Sequence, residues 1–222
     1  MRNLSIFLVS LLLTVALVAI AFLWLDQPLS YFAHDQLAQY RVFKDMQRTP
    51  EFMVVFACLI FALVGFFVLV RQPLNKLMSA LLLSGVSLAV ATQIKDQLKF
   101  VFGRTWPETW VNNNPSLIRD GVSGFNFFHG GAGYSSFPSG HTAVTCAVVA
   151  VFWLSYPRYR PLYAAIVAVV AIGLIGANYH FLSDLIAGGL IGWLTGWIAV
   201  LLWDAGGLPR LAPDKSRAGP SP

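Results

Sequence analysis

Six stretches of this chain are too apolar for an ordinary water-facing surface: Leu4–Leu25, Phe52–Val70, Leu77–Ala91, His141–Tyr156, Leu162–Ala177 and Leu185–Trp203. Crossing a bilayer takes about 17–25 residues of helix, and the first, second and sixth stretches meet that unaided. The third, fourth and fifth reach it only if their helices carry polar residues at one end. The expected fold is therefore all-α, a polytopic membrane protein with six transmembrane helices in a bundle. Composition agrees: 57% of the residues are hydrophobic and 11% charged, against about 45–50% and 25% in soluble domains.

The first stretch is too long for a cleavable signal sequence, and "DQPLSYF" after it offers no small-residue cleavage site, so it reads as a retained helix. Cys58 and Cys146 both fall inside apolar stretches, which argues against a structural disulfide. Residues 1–208 read as one membrane domain, and the Pro-rich tail 209–222 as a disordered cytoplasmic segment. With both termini inside, the inner loops carry Arg2, Arg71, Lys76, Arg158, Arg160, Arg210, Lys215 and Arg217. The outer loops carry Arg41, Lys44, Arg48, Lys95, Lys99, Arg104 and Arg119. Lys95, Lys99 and Arg104 belong to a candidate site and Arg119 lies deep in a long loop, so the short-loop bias favours this orientation. The expected location is a bacterial cytoplasmic membrane with the site at the periplasmic face. The net charge of +5 then calls for no nucleic acid, only anionic lipid and an anionic substrate.

Three polar clusters fall on that outer face: "QIKDQLKFVFGRTWP", "PSGH" and "NYHFLSDLIAGG". Lys95 and Lys99 are four residues apart on a helix, as are His180 and Asp184. Each cluster alone has an ordinary explanation: snorkelling cations, helix capping by Ser139, or a helix-stabilising His–Asp pair. Their coincidence at one depth is the pattern of a helix-bundle site. That set suits a phosphate. The start of a helix at Gly140 presents free amides and a positive dipole end, Ser139 adds a hydroxyl, and Lys99 and Arg104 add charge. One imidazole can attack phosphorus while the other protonates the departing oxygen. Asp184 is spaced to orient His180.

"FPSGHTA" and "NYHFLSD" resemble the type 2 phosphatidic acid phosphatases, the lipid-phosphatase branch of a superfamily shared with vanadium haloperoxidases. The resemblance runs from about Leu98 to Gly189 and extends to the six-helix layout. It implies Lys99, Ser139 and Gly140 as phosphate-binding residues and His141 as the general acid. It implies His180 as the nucleophile that becomes a phosphohistidine, and Asp184 as its orienting partner, with no metal and no other cofactor. Two arginines of the family pattern are absent: Trp106 and Leu174 stand at their positions. Arg104 is the nearest replacement for one of them.

The loop Pro107–Phe137, rich in Asn, Gly and aromatics, reads either as a cover over the site or as an aromatic interface belt. Trp106 just before it and Arg119 and His129 within it are the candidate substrate contacts, with Trp110 and Phe127 beside them. Gln27–Pro50 reads as an interfacial amphipathic helix. The functional expectation is a membrane lipid phosphate phosphatase, metal-independent, with a lipid phosphate as substrate. Alternatives left open are a lipid phosphotransferase, a non-catalytic lipid-phosphate binder or transporter, and a metal site on His180, Asp184 and His141 or His129. Oligomeric state is not legible.

Overall fold

The structure, a computed structural model, describes residues 2–47, 49–69, 74–110, 113–206 and 211. It is helical throughout its membrane part: α1 (Arg2–Ile20), α2 (Asp26–Phe32), α3 (Arg41–Gln47), α4 (Thr49–Leu69), α5 (Lys76–Phe102), α6 (Leu117–Asp120), α7 (Gly140–Ser155), α8 (Arg160–Gly176) and α9 (Leu182–Ala205). Among the described residues, four helical runs have the length and apolarity to cross a membrane: Phe7–Leu37, Lys76–Phe102, Pro157–Gly176 and Leu182–Ala205. The other two expected spans give shorter apolar helices, Cys58–Phe67 within α4 and the 16-residue α7. The third stretch becomes 27 residues long because its polar end, with Lys95 and Lys99, stays helical.

Gln27–Pro50 does not form one interfacial helix. The first helix instead continues through a π-helical turn at Ala21–Leu25, α2 and a second π-helical turn at Ala33–Leu37. Its polar residues Asp26 and Ser30 are buried, so this face meets protein where an interfacial helix would meet water. The chain then turns, and α3 packs back along α8, with the Phe43 ring filling the space that a side chain at Gly176 would occupy.

Helix α7 lies at the centre, against α5, α8 and α9. Its closest neighbour is α9, and the reason is written in Gly188, Gly192 and Gly196, four residues apart on one helix face. A Cβ at Gly188 would stand 2.3 Å from the Ser139 carbonyl oxygen, one at Gly192 2.1 Å from that of Ala143, and one at Gly196 2.6 Å from Ala150 Cβ. Between lipid-embedded helices, apolarity gives no preference for protein over acyl chain, so close backbone approach supplies the packing energy. This stripe thereby fixes how the start of α7 sits beside the start of α9. At the other end of the bundle Ala80, Leu83, Val151, Val200 and Leu211 form one apolar cluster. Leu211 lies in the segment expected to be a disordered tail, yet it is fully buried and its amide donates to Asp204 Oδ1 at 2.9 Å. Residues 212–222 lie outside the described residues.

Candidate active site

The site forms where α5 ends and α7 and α9 begin. Gly103 caps α5 in the left-handed region (φ +52°). A side chain there would be strained and would also strike the Asn126 carbonyl, 1.9 Å from its Cβ. Beyond it the chain turns inward, and Arg104 is fully buried. Ser139 caps α7: its hydroxyl accepts from Thr142 N at 3.4 Å and Thr142 Oγ1 at 3.1 Å. Its own amide donates to the Asp184 carbonyl at 3.0 Å, tying the start of α7 to that of α9. The first-turn amides of α7, at Gly140 and His141, have no partner within their own helix. Lys95 lies against Gly140, where an added Cβ would stand 3.0 Å from Lys95 Cδ and 3.8 Å from Nζ.

The two histidines expected to act together do meet. Their ring centroids are 5.9 Å apart, close enough for one phosphoryl group to lie between a nitrogen of each. His180 is 2% exposed, and its Nδ1 stands 3.3 Å from Asp184 Oδ2 and 3.4 Å from Ser136 Oγ. These are long contacts, of the kind that tighten when substrate binds. With its proton on Nδ1 facing the carboxylate, the ring keeps Nε2 as an electron-pair donor. Burial pushes the imidazole below its ordinary value, while the Asp184 hydrogen bond pulls it back up. Asp184 is held from several sides: Ser136 Oγ donates at 2.6 Å and Phe181 N at 3.0 Å.

Arg104, expected from the sequence among the phosphate ligands, has another attachment. Its Nη1 donates to Asp184 Oδ1 at 2.5 Å and Ser183 Oγ at 2.6 Å, and its Nη2 donates to Asp26 Oδ2 at 2.7 Å. Phe181, Phe125 and Phe22 enclose the guanidinium at 4.1, 5.0 and 5.2 Å from their ring centroids. A buried cation needs such paired carboxylates to offset its lost hydration.

Trp106, one of the two absent-arginine positions, packs its ring 5.1 Å from that of His180 and 5.3 Å from Tyr179, and its Nε1 donates to the Ala132 carbonyl at 2.7 Å. The Lys99 ammonium lies 5.7 Å from the Trp106 ring centroid. Leu174, the other such position, is buried in an apolar cluster with Val170 and Leu185. Trp110 reaches the site through Tyr179, at 5.3 Å. Arg119 and His129 are held elsewhere in the loop. Arg119 bonds Asp120 and Asn113, and the exposed His129 packs on Tyr134. Phe127 is exposed. Trp106, just before the loop, and Trp110 within it therefore lie against the site residues, while Phe127 and His129 are exposed. Among the described residues, no three His, Cys, Asp or Glu side chains gather as a metal site would require.

Asp26, Ser136, Ser183 and the glycine stripe went unrecognised in the sequence. Asp26 had a signal, a carboxylate inside a helical run otherwise fit for lipid. The Gly188, Gly192 and Gly196 spacing had one too. Ser136 and Ser183 had none, because nothing distinguishes a serine that will meet a buried carboxylate.

An apolar helix bundle with two histidines and a buried carboxylate gathered at the head of its central helix defines an integral membrane protein. The chain belongs to the PAP2 superfamily, whose family model matches residues 80–206. It is 34% identical over 118 residues to a lipid A 1-phosphatase of Rhizobium etli, covering 53% of this chain and 48% of that one. It is 36% identical over 118 residues to a lipid A 1-phosphatase of Rhizobium johnstonii, covering 53% and 46%. The chain spans about half the length of these curated relatives. In fold it is similar to a transmembrane PAP2-type phosphatidylglycerolphosphate phosphatase of Bacillus subtilis, with a TM-score of 0.55, 18% identity, and coverage of 91% of this chain and 96% of that one.

Proposed function

We propose that this protein is a lipid phosphate phosphatase that works through a phosphohistidine and needs no metal. The observation that carries the reading is the 5.9 Å pairing of the His141 and His180 rings, with Asp184 behind the second. His180 Nε2 attacks phosphorus, His141 protonates the departing lipid oxygen, and a water then releases phosphate from the histidine. Asp184 holds the attacking ring in its tautomer and favours the cationic form that develops on it. The amides of Gly140 and His141, the Ser139 hydroxyl and the ammonium groups of Lys99 and Lys95 receive the phosphoryl oxygens. Arg104 is assigned to positioning Asp184 and not to phosphate. The relatives' name makes the 1-phosphate of lipid A the first substrate to try, with phosphatidic acid and phosphatidylglycerol phosphate beside it.

The test is phosphate release by the detergent-purified protein across that panel, with and without EDTA, beside His180→Ala. Release that survives EDTA and vanishes in the variant supports the reading. Equal release by the variant removes His180 as nucleophile, and loss in EDTA restores the metal alternative.

A further inference from the structure

The buried charge around Asp184 does not end with the residues of the family-matched segment. Asp26 belongs to the long N-terminal helical run, outside residues 80–206. It is 1% exposed, and its partners Arg104 and Ser183 belong to the active-site wall. Its Oδ2 accepts from Arg104 Nη2 at 2.7 Å and from Ser183 Oγ at 2.5 Å, and its Oδ1 accepts from the Ser183 amide at 3.0 Å. Asp26 and His180 also line one narrow crevice, together with Ser30, Asn178 and Leu182.

Consider the charges. Arg104 alone beside Asp184 would make a neutral pair, and Asp184 would then have little negative charge left to offer an imidazole. The second carboxylate changes the sum. Asp26, Arg104 and Asp184 together carry a net charge of −1, in a fully buried environment where charge acts strongly. The groups facing His180 are otherwise neutral or positive: His141 from α7, Lys99 from α5, Arg104 beyond the end of α5, Trp106 and Tyr179. Asp184 is the carboxylate that touches the ring, and Asp26 offsets the cation that would otherwise cancel it.

We infer that Asp26 is a positioning residue of the active site, through which the N-terminal helix balances Arg104 and leaves Asp184 its charge toward His180. The inference rests on the assignment of His180 as the nucleophile. On that reading the N-terminal run is part of the catalytic apparatus as well as a membrane span. It adds a requirement that the family motifs do not contain.

The experiment compares wild type, Asp26→Asn, Arg104→Gln, the double variant Asp26→Asn/Arg104→Gln, and His180→Ala, all full-length in detergent. The expected result for Asp26→Asn is a fall in kcat of about tenfold to hundredfold, less than removing an orienting carboxylate itself costs. KM stays within about twofold, because Asp26 touches no phosphate ligand. The acid limb of the kcat profile moves to lower pH, since an imidazole with less negative charge nearby holds its proton less tightly. The double variant restores the net charge of −1 and turns over faster than Asp26→Asn. A residue of merely structural importance predicts the opposite order, with the double variant the worst. Wild-type kcat in Asp26→Asn, or a double variant no faster than the single, overturns the inference. If Asp26→Asn does not accumulate in membranes, the double variant carries the test alone, and its failure to accumulate or turn over counts against the inference. Activity retained in His180→Ala would instead remove the underlying reading, so the two failures are distinct.

Discussion

No side chain fits at Gly192, because a Cβ there would stand 2.1 Å from the carbonyl oxygen of Ala143 on the facing helix. The obstacle is backbone on a packed helix, which cannot swing aside as a side-chain tip would. Gly192→Ala therefore forces α9 away from α7 and opens the bond between the Ser139 amide and the Asp184 carbonyl. Overpacking costs about 1–3 kcal/mol where neighbours can yield, and the upper end is expected here. Thermal unfolding in detergent should show a clear drop together with lost phosphate release. Gly65→Ala, where nothing lies within 4 Å of the new methyl, should leave both intact. An unchanged profile for Gly192→Ala would contradict this account of the helix contact.

How much of this the sequence disclosed depended on what kind of signal each residue carries. The apolar stretches and the paired His180 and Asp184 were legible because a 3.6-residue period and hydropathy are local properties. Arg104 was legible as a charge near the site but not in its role. Only the fold brings Asp26, 78 positions away, to its Nη2. Gln27–Pro50 was misread because charged residues beside aromatics look interfacial, whereas Ser30 bonds the buried Asn178, and Asp26, just before the segment, bonds Arg104 and Ser183. Trp106 was noted as a missing arginine, yet its contact with the His180 ring is tertiary. Arg119 and His129 have side chains suited to phosphate, and local bonding in the loop holds them away from it.

Lys99 should carry much of the charge complementarity, because the two family-pattern arginines are replaced by Trp106 and the buried Leu174. Lys99→Ala is expected to lower kcat/KM about a hundredfold to a thousandfold, in line with removal of one preorganised charge-stabilising group. Lys95→Ala should cost less, since Lys95 also pairs with the exposed Asp96. Steady-state rates on a single lipid phosphate measure both. Equal and small losses would remove the lysines from the phosphate site.

Trp106 offers a test in the opposite direction. Trp106→Arg returns the family arginine but places a cation beside Lys99 and the His180 ring. It also removes the bond from Nε1 to the Ala132 carbonyl. Without an anion the variant should melt below wild type, since a buried unpaired charge destabilises. Added inorganic phosphate or vanadate should raise its melting point more than that of wild type, because the ligand would pair the new charge. Equal shifts in the two proteins would place residue 106 away from bound phosphate.

Burial holds the His180 imidazole below its ordinary value of 6.5. In the folded protein the ring should therefore hold its proton less tightly than an unperturbed imidazole, which titrates near its ordinary value. The sign for stability follows: the folded state binds this proton less readily than the unfolded chain. Its contribution is present above the ordinary value and lost as pH falls from there toward the lowered one. Nitrogen-15 spectra of histidine-labelled protein, assigned with His180→Ala, report the ring's charge directly. A His180 ring that titrates at or above the ordinary imidazole value would contradict the balance of burial over the Asp184 hydrogen bond.

The most direct test of the proposed chemistry is to trap the intermediate. Protein mixed with a lipid carrying labelled phosphate, in EDTA, is quenched with alkali within one turnover and digested. The expected result is label on the peptide containing His180, stable in alkali and released by acid as a phosphorus–nitrogen bond should be. Steady turnover with no labelled enzyme, or label on His141 or Ser139 instead, would contradict the account.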